Sequence, residues 1–275
     1  MLHRLGADVR AIFLGGGVTG RVLDDLLARA GIPRQMIAIA DDTRLSLTVV
    51  ERPTGHEYRF VPEGPEVSAA EAQEALAAAG AVQCDYLVAS GSLPRGLPED
   101  FYAQVGRAAA AGGARFVLDT SGAPLKAALD AGGIFLVKPN RAEFESLAGR
   151  QLSNEEVGRE AARLVEAGKA ENVAVTLGQE GAILVDRGGI MVSPAVQVET
   201  RSAVGAGDSF VAGMVYGFAT GPSGERALRL GLAAGAAAVL SSGSELAKAE
   251  DLERLFGAAL SGKQVDGLGG GSEGG

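Results

Sequence analysis

The feature that most constrains the fold is a regular alternation of short apolar runs with helix-forming segments. The runs Tyr86–Ala89 and Ile134–Val137 have the length and composition of buried strands. Segments such as 98–111 lie between them and have the length and composition of helices. Alternating strands and helices predict a mainly parallel sheet that is covered by helices on both faces. The predicted fold class is therefore α/β, a three-layer α/β/α sandwich.

The predicted elements follow one another along the chain. Strands are expected at 9–14, 86–89, 115–118, 134–137, 172–177, 182–185 and 190–192. A first helix has its apolar face at Val22, Leu23, Leu26 and Leu27. Further helices are expected at 69–79, 98–111, 123–131, 141–148, 154–167, 206–219, 224–240 and 247–260. Ser68 and Glu71 form a capping-box pattern at the start of the 69–79 helix.

The segment 36–64 interrupts this alternation. Its short apolar runs, at 37–39, 45–50 and 58–61, are typical of strands and a hairpin. We predict a small β lid over 36–64, inserted between core segments 1–35 and 65–260. The lid carries Arg44 and Arg59, which are either solvated edge charges or a forked clamp for a sugar phosphate. The glycine-rich residues 261–275 predict a flexible tail.

Composition excludes several classes of protein. The 275-residue chain has a net charge of −9, which argues against binding to nucleic acid or to anionic membranes. The single cysteine, Cys84, excludes an internal disulfide framework, and His3 and His56 are too few and too far apart to suggest a zinc site. The sequence has neither a membrane-length apolar run nor a signal-peptide pattern, so the default expectation is a cytoplasmic protein.

Polar clusters follow several predicted strands directly, at Ser90–Ser92, Asp119–Ser121, Lys138–Asn140 and Thr176–Gly178. Each cluster alone is ordinary loop chemistry. The carboxyl ends of parallel strands meet at one edge of a sheet, and ligands of such folds bind there. We therefore expect one site at this edge, and Asp208 is expected to lie on the same edge.

The stretch 200–214 carries the most specific chemistry. Gly205, Ala206 and Gly207 form a turn with little side-chain bulk before a predicted helix, so free N–H groups there favour an anion. Asp208 follows directly. Its carboxylate is either a plain helix cap or a base that takes a proton from a hydroxyl while the N–H groups hold developing negative charge. The second alternative indicates phosphoryl transfer to an alcohol.

These motifs resemble those of the ribokinase/PfkB family of sugar kinases. Asn140–Glu143 is similar to the family's N-x-x-E motif, and Ser202–Asp208 is similar to its C-terminal motif, whose Asp is the base. The resemblance covers about residues 4 to 260 and includes, in order, Thr43-Arg44, Tyr58–Phe60, Ser90–Pro94 and Val137–Asn140. It implies a ribokinase-like fold and favours Asp208 as a base over a plain cap.

The resemblance also implies a role for each matching residue. Asp208 would deprotonate the C1 hydroxyl of the sugar, with Gly205, Ala206 and Gly207 as the anion hole. The residues implied at the ATP site are Lys138, Asn140, Thr176, Gly178, Gly181, Ser202, Leu232 and Ala236. Arg44, Ser92 and Arg59 would bind the sugar phosphate, and Glu143 would organise Mg²⁺. A K⁺ loop is implied at Ser202, Val204, Ala238, Ser241 and Gly243, although Glu245 stands where relatives have a basic residue. A homodimer through the lid is implied as well.

The leading function is ATP-dependent phosphorylation of fructose 6-phosphate to fructose 1,6-bisphosphate, a step of glycolysis. The alternatives are a kinase of tagatose 6-phosphate, fructose 1-phosphate or another sugar, a nucleotide-binding protein with impaired catalysis, and a purely structural module. Met1–Gly6 resembles the end of a family helix. We therefore expect the family's first strand, its acidic sugar-binding residue and its glycine-rich loop to be missing, and activity and stability to be reduced.

Overall fold

The computed structural model describes residues 1–52, 54, 56–200, 202, 204–240 and 247–261, without the side chains of Val50, Glu57, Arg59 and Ala249. A short 3₁₀ helix at Leu2–Leu5 comes first. The strands are β1 (Ala11–Gly15), β2 (Arg34–Ala38), β3 (Leu47–Val50), β4 (Glu57–Phe60), β5 (Tyr86–Ser90), β6 (Arg115–Asp119), β7 (Ile134–Val137), β8 (Ala170–Thr176), β9 (Ala182–Asp186) and β10 (Gly189–Ser193).

The helices are α1 (Gly17–Arg29), α2 (Ala69–Ala81), α3 (Phe101–Ala111), α4 (Gly122–Ala131), α5 (Arg141–Ala148), α6 (Asn154–Glu166), α7 (Ala206–Ala219), α8 (Gly224–Val239) and α9 (Ala249–Ser261). Several begin as local sequence predicts. Ser68 caps α2 and Ser153 caps α6, each in a capping box with the glutamate three residues on. The predicted tail began at residue 261, but Ser261 ends α9, and 262–275 lie outside the described residues.

The main sheet has six strands in the order β10-β9-β8-β7-β6-β5. Strands β5 to β8 run parallel, whereas β9 and β10 form an antiparallel edge. Parallel pairing requires long crossovers, and the intervening helices provide them. The predicted α/β class with a mainly parallel sheet is therefore confirmed.

Strand β2 differs from the expectation. The run Ile37–Ile39 was expected to belong to the lid, but Arg34–Ala38 pairs in parallel with β1, where Leu14 lies opposite Ile37. The reason is burial, since Ile37 is 1% exposed and packs as a core residue. The antiparallel hairpin consists of β3 and β4 alone. Arg44 accordingly lies in the connection between β2 and β3 and not on a hairpin strand.

Two apolar clusters cover the opposite faces of the six-stranded sheet. On one face, α3, α4 and α6 pack through residues such as Phe101, Leu125 and Val157. On the other, α7 and α8 pack through Phe210, Met214 and Leu228. Neighbouring residues of β6 alternate between the clusters, as the strand period of two requires. The carboxyl ends of β5 to β8 consequently open toward the start of α7. No helix among the described residues is long and apolar enough to cross a membrane.

Candidate active site

The start of α7 presents a carboxylate beside backbone N–H groups of the first turn, for which no acceptor occurs among the described residues. Gly205 is the N-cap residue, and its φ of 76° lies in the left-handed region that glycine adopts at low cost. Within the described residues, no side chain caps this helix. Asp208 lies in the first turn, and its Oδ1 accepts a hydrogen bond from Oγ of Ser90 at 3.1 Å. Capping is therefore not the role of the Asp208 carboxylate.

A lysine ammonium lies directly against this turn. A Cβ added to Gly207 would lie 3.4 Å from Nζ of Lys138, which is about van der Waals contact, so the ammonium lies beside this turn. The ammonium also forms an ion pair. Nζ of Lys138 is 3.1 Å from Oδ1 of Asp119, and the two side chains are 7% and 14% exposed. The positive end of the α7 dipole and this ammonium favour negative charge at the same place.

Asp119 is unusual for a carboxylate with a lysine partner. Burial raises its pKa, and the charges of Asp208 and Glu143 raise it further, while the attraction of Lys138 lowers it by less. The carboxylates of Asp119, Asp208 and Glu143 thus lie close enough to influence one another, and the Lys138 ammonium pairs with the first of them. Perturbed pKa values of this kind are common in catalytic clefts.

A cavity of about 670 Å³ opens beside the start of α7. This volume is within the usual range for pockets that bind small molecules. Its wall includes eight residues that the sequence predicted at the ATP site or the anion hole: Asn140, Thr176, Gly178, Gly181, Ala206, Gly207, Leu232 and Ala236. Lys138 and Ser202 were also predicted at the ATP site but are buried behind the wall, at 5% and 4% exposure.

The predicted N-x-x-E motif forms a local structure of its own. Oδ1 of Asn140 accepts from the N–H of Glu143 at 2.9 Å, and Oε2 of Glu143 accepts from the N–H of Asn140 at 2.8 Å. This is a capping box at the start of α5. Asn140 also bridges to Thr176, so the ends of β7 and β8 hold the motif at the cavity. Glu143 therefore has a structural role whether or not it also binds a metal.

Arg44 is fixed to the core through the preceding residue. The backbone N–H and Oγ1 of Thr43 bond to the carbonyl and N–H of Gly16 at 3.1 and 3.0 Å, beside the start of α1. A Cβ on Gly64 would lie 3.7 Å from Nη1 of Arg44 and 4.0 Å from the Cα of Pro94, two residues beyond Ser92. Arg44 therefore lies near the loop that carries Ser92.

Arg95 is a further cation near this loop that sequence reasoning missed. Its Nε donates to the carbonyl of Gly64 at 3.4 Å, and its Nη1 is 3.7 Å from Glu63. The signal was available, because Arg95 directly follows the Ser90–Pro94 motif. The backbone of Arg59 lies opposite Thr48 in the hairpin.

Only part of the predicted K⁺ loop falls within the described residues. Ser202 donates its N–H to the carbonyl of Val239 at 3.4 Å, and its Oγ accepts from the N–H of Val204 at 3.3 Å. Ala238 lies at the end of α8, so these residues are close in space. Ser241 and Gly243 lie outside the described residues.

The sequence did not indicate Asp119 or Ser90 individually as site residues, although the clusters Ser90–Ser92 and Asp119–Ser121 were expected at the sheet edge. Each signal was only a polar residue at the end of a strand. Their importance depends on contacts with residues far away in sequence, such as the 118-residue separation of Ser90 from Asp208.

A carboxylate, the N–H groups of a helix start, a buried ammonium and an adjoining cavity define a phosphotransferase-like site on an α/β fold. The family model described as "pfkB family carbohydrate kinase" matches residues 1–251. The chain belongs to this family. Membership confirms the predicted ribokinase/PfkB resemblance and the predicted class, an ATP-dependent sugar-phosphate kinase.

Individual relatives agree with this assignment. The chain is 39% identical over 261 residues to the ATP-dependent 6-phosphofructokinase isozyme 2 of Escherichia coli, covering 93% of this chain and 83% of the relative. It is 35% identical over 248 residues to a 1-phosphofructokinase of Haloferax volcanii, covering 90% and 79%. The crystal structure of phosphofructokinase-2 from Escherichia coli in complex with potassium superposes with a TM-score of 0.89 at 37% identity, covering 94% and 84%.

Proposed function

We propose that this chain transfers the terminal phosphoryl group of ATP to the C1 hydroxyl of fructose 6-phosphate and so forms fructose 1,6-bisphosphate. The observation that carries the proposal is the carboxylate of Asp208, held by Ser90 in the first turn of α7 beside the backbone N–H groups of that turn. A carboxylate next to an anion hole suits a reaction that removes a proton from an alcohol while negative charge develops on phosphoryl oxygens.

The residues divide the chemistry among them. Asp208 takes the proton from the C1 hydroxyl as the oxygen of that hydroxyl attacks the terminal phosphorus of ATP and ADP leaves. The N–H groups of Gly205, Ala206 and Gly207 bind the phosphoryl oxygens, and Lys138 adds positive charge behind Gly207. ATP occupies the cavity, with Asn140, Thr176, Gly178 and Gly181 on its wall and Leu232 and Ala236 contributing apolar surface.

The donor chemistry of the cleft suits Mg²⁺, which prefers carboxylate oxygens, water and phosphate. Among the described residues, no group of three His, Cys, Asp or Glu side chains is arranged to hold a metal by itself. We therefore expect Glu143 to bind Mg²⁺ together with the ATP phosphates, where the ion neutralises their charge. K⁺ is the proposed ligand of the loop containing Ser202, Val204, Ala238, Ser241 and Gly243.

The preference for a phosphorylated sugar rests on Arg44, Ser92 and Arg59, with Arg95 close by. Guanidinium groups bind phosphate by charge-assisted, forked hydrogen bonds. Since relatives are named both 6-phosphofructokinase and 1-phosphofructokinase, fructose 1-phosphate is the second candidate acceptor. Tagatose 6-phosphate is a third, because it differs from fructose 6-phosphate only in the configuration of one hydroxyl.

The experiment is a coupled assay of ADP release with these three sugar phosphates and with fructose, using the full chain. We expect the highest kcat/KM with fructose 6-phosphate. Asp208→Asn should lower kcat by about a hundredfold to ten-thousandfold while calorimetry shows ATP affinity nearly unchanged. ATP binding without transfer to any acceptor would instead identify a nucleotide-binding protein with impaired catalysis.

A homodimer through the hairpin is the proposed assembly. The register puts Leu47 opposite Phe60 and Val49 opposite Tyr58, so one face of the hairpin is apolar. These four side chains are 49–59% exposed. An apolar face of this kind is typical of a surface that pairs with another protein. Sedimentation should give the dimer mass, and Phe60→Glu should shift it toward the monomer, whereas Thr48→Glu on the other face should not.

A further inference from the structure

The segment Ser90–Ser92 begins at the last residue of β5, and hydrogen bonds hold it at its centre. Gly91 has a φ of 106°, a conformation that only glycine adopts readily. Its N–H donates to the carbonyl of Asp119 at 2.9 Å. Its carbonyl accepts from Oγ1 of Thr120 and from the hydroxyl of Tyr102, both at 2.9 Å.

The two side chains that hold Gly91 are themselves rigid. Thr120 and Tyr102 are 6% and 8% exposed. Burial, with a smaller contribution from the charge of Asp119, raises the pKa of Tyr102 to about 12. The phenol therefore keeps its proton across the physiological range and remains a hydrogen-bond donor. The loop is thus attached to the core by three hydrogen bonds around a single residue.

Ser90 is the residue that this loop presents to Asp208. Its Oγ donates to Oδ1 of Asp208 at 3.1 Å. A carboxylate near a helix start can rotate about two side-chain bonds, and one fixed hydrogen bond restricts that rotation. With Oδ1 engaged and no hydrogen bond to Oδ2 among the described residues, Oδ2 is the oxygen available to accept a proton. Misplacement of a reacting group by about 1 Å can cost a hundredfold in rate.

We infer that Ser90 is a positioning residue that orients the Asp208 carboxylate for proton transfer from the sugar hydroxyl. This inference rests on the proposed function. Ser90 acts through Asp208 and not on the sugar phosphate, which distinguishes it from the neighbouring Ser92. Its effect should therefore appear in kcat, whereas the effect of Ser92 should appear in KM for the sugar phosphate.

The test compares Ser90→Ala, Ser90→Thr and Ser92→Ala in steady-state assays of the full chain, with Ser146→Ala on exposed helix α5 as a matched control. Ser90→Ala should lower kcat by about tenfold to a hundredfold with KM for both substrates within about twofold. Ser90→Thr, which keeps the hydroxyl, should recover most of kcat. In an Asp208→Asn background, Ser90→Ala should have no further effect, because the group it orients is gone.

Three results would overturn the inference: unchanged kcat in Ser90→Ala, a rise in KM with no fall in kcat, or failure of threonine to restore the rate. A second measurement needs no activity. The carboxyl ¹³C resonance of Asp208, assigned by its loss in Asp208→Asn, should move in Ser90→Ala and not in Ser146→Ala. If the native chain transfers no phosphoryl group, the proposed function fails, and an unmoved resonance still disproves the Ser90 contact separately.

Discussion

Removing the ammonium of Lys138 should lower the stability of the fold strongly, because it breaks a buried ion pair at the cleft. Lys138→Met leaves the carboxylate of Asp119, 14% exposed, without its partner at 3.1 Å. Breaking a buried ion pair from one side typically costs about 3–5 kcal/mol, because the remaining charge is desolvated and uncompensated. A natural domain has only about 5–15 kcal/mol of unfolding free energy in total.

Two further variants, Asp119→Asn and the double variant with Lys138→Met, distinguish the effect of losing the ion pair from the effect of changing the side chain. Asp119→Asn leaves the Lys138 ammonium without its counter-ion but keeps an oxygen that accepts a hydrogen bond from it, so it should cost less than Lys138→Met. The double variant should cost less than Lys138→Met alone, since no unpaired charge then remains. Non-additivity of this kind is expected for residues in direct contact.

Urea unfolding at neutral pH, followed by circular dichroism, measures these differences as shifts in midpoint at constant m value. A cost below about 1 kcal/mol for Lys138→Met would refute the argument. Strict additivity in the double variant would also refute it, because the two charges would then be independent. ATP calorimetry on the same variants reports whether the ammonium also supports binding of the nucleotide phosphates.

Three further outcomes follow from the site. Arg44→Ala should raise KM for the sugar phosphate about tenfold to a hundredfold with little change for ATP, since it removes a charge-assisted phosphate contact; equal changes for both substrates in the kinetic assay would indicate a folding role. Glu143→Gln should keep the capping box and its stability but weaken the dependence of activity on Mg²⁺. Glu143→Ala should weaken that dependence and also lose the capping box and its stability. A titration of activity against Mg²⁺ together with thermal unfolding distinguishes the two variants. The pKa of Asp119 is raised in the folded chain, so above about pH 3.8 the folded chain keeps a proton that the unfolded chain releases. The unfolding free energy of the native chain should therefore fall, relative to that of Asp119→Asn, as pH rises from that value. A difference between the two that does not change with pH would contradict the assignment.

Local signals in the sequence were sufficient to predict most of the helices and strands. The apolar run Ile134–Val137 and the helix 206–219 were predicted with the bounds that the structure has. The capping box of Ser68 with Glu71 was also predicted, because it depends on residues three positions apart. Strand β2 was assigned to the wrong unit, since a short apolar run has the same appearance in a hairpin and in a buried parallel pair.

The cleft was predicted less completely than the fold for a physical reason. The small-residue turn before a helix indicated Asp208 as a candidate, and the position directly after a strand indicated Lys138. The same features did not indicate that Lys138 would be buried against Asp119, because that contact joins the ends of two different strands. The role of Ser90 likewise depends on a contact with Asp208, 118 residues away in the sequence.

Strand register connects these contacts. In the β5–β6 pair, Ser90 lies opposite Asp119, and in the β6–β7 pair, Leu118 lies opposite Val137, which puts Asp119 level with Lys138. Three polar side chains therefore end three adjacent strands at one height. Because side chains alternate between faces along a strand, a shift of one residue in either pair would turn one of the three away from the others. Such a shift would also move the fully buried Leu118 and Leu136 out of the apolar clusters in which they pack and onto the opposite faces of the sheet. The apolar core that fixes the register of the sheet thus also fixes the geometry of the site.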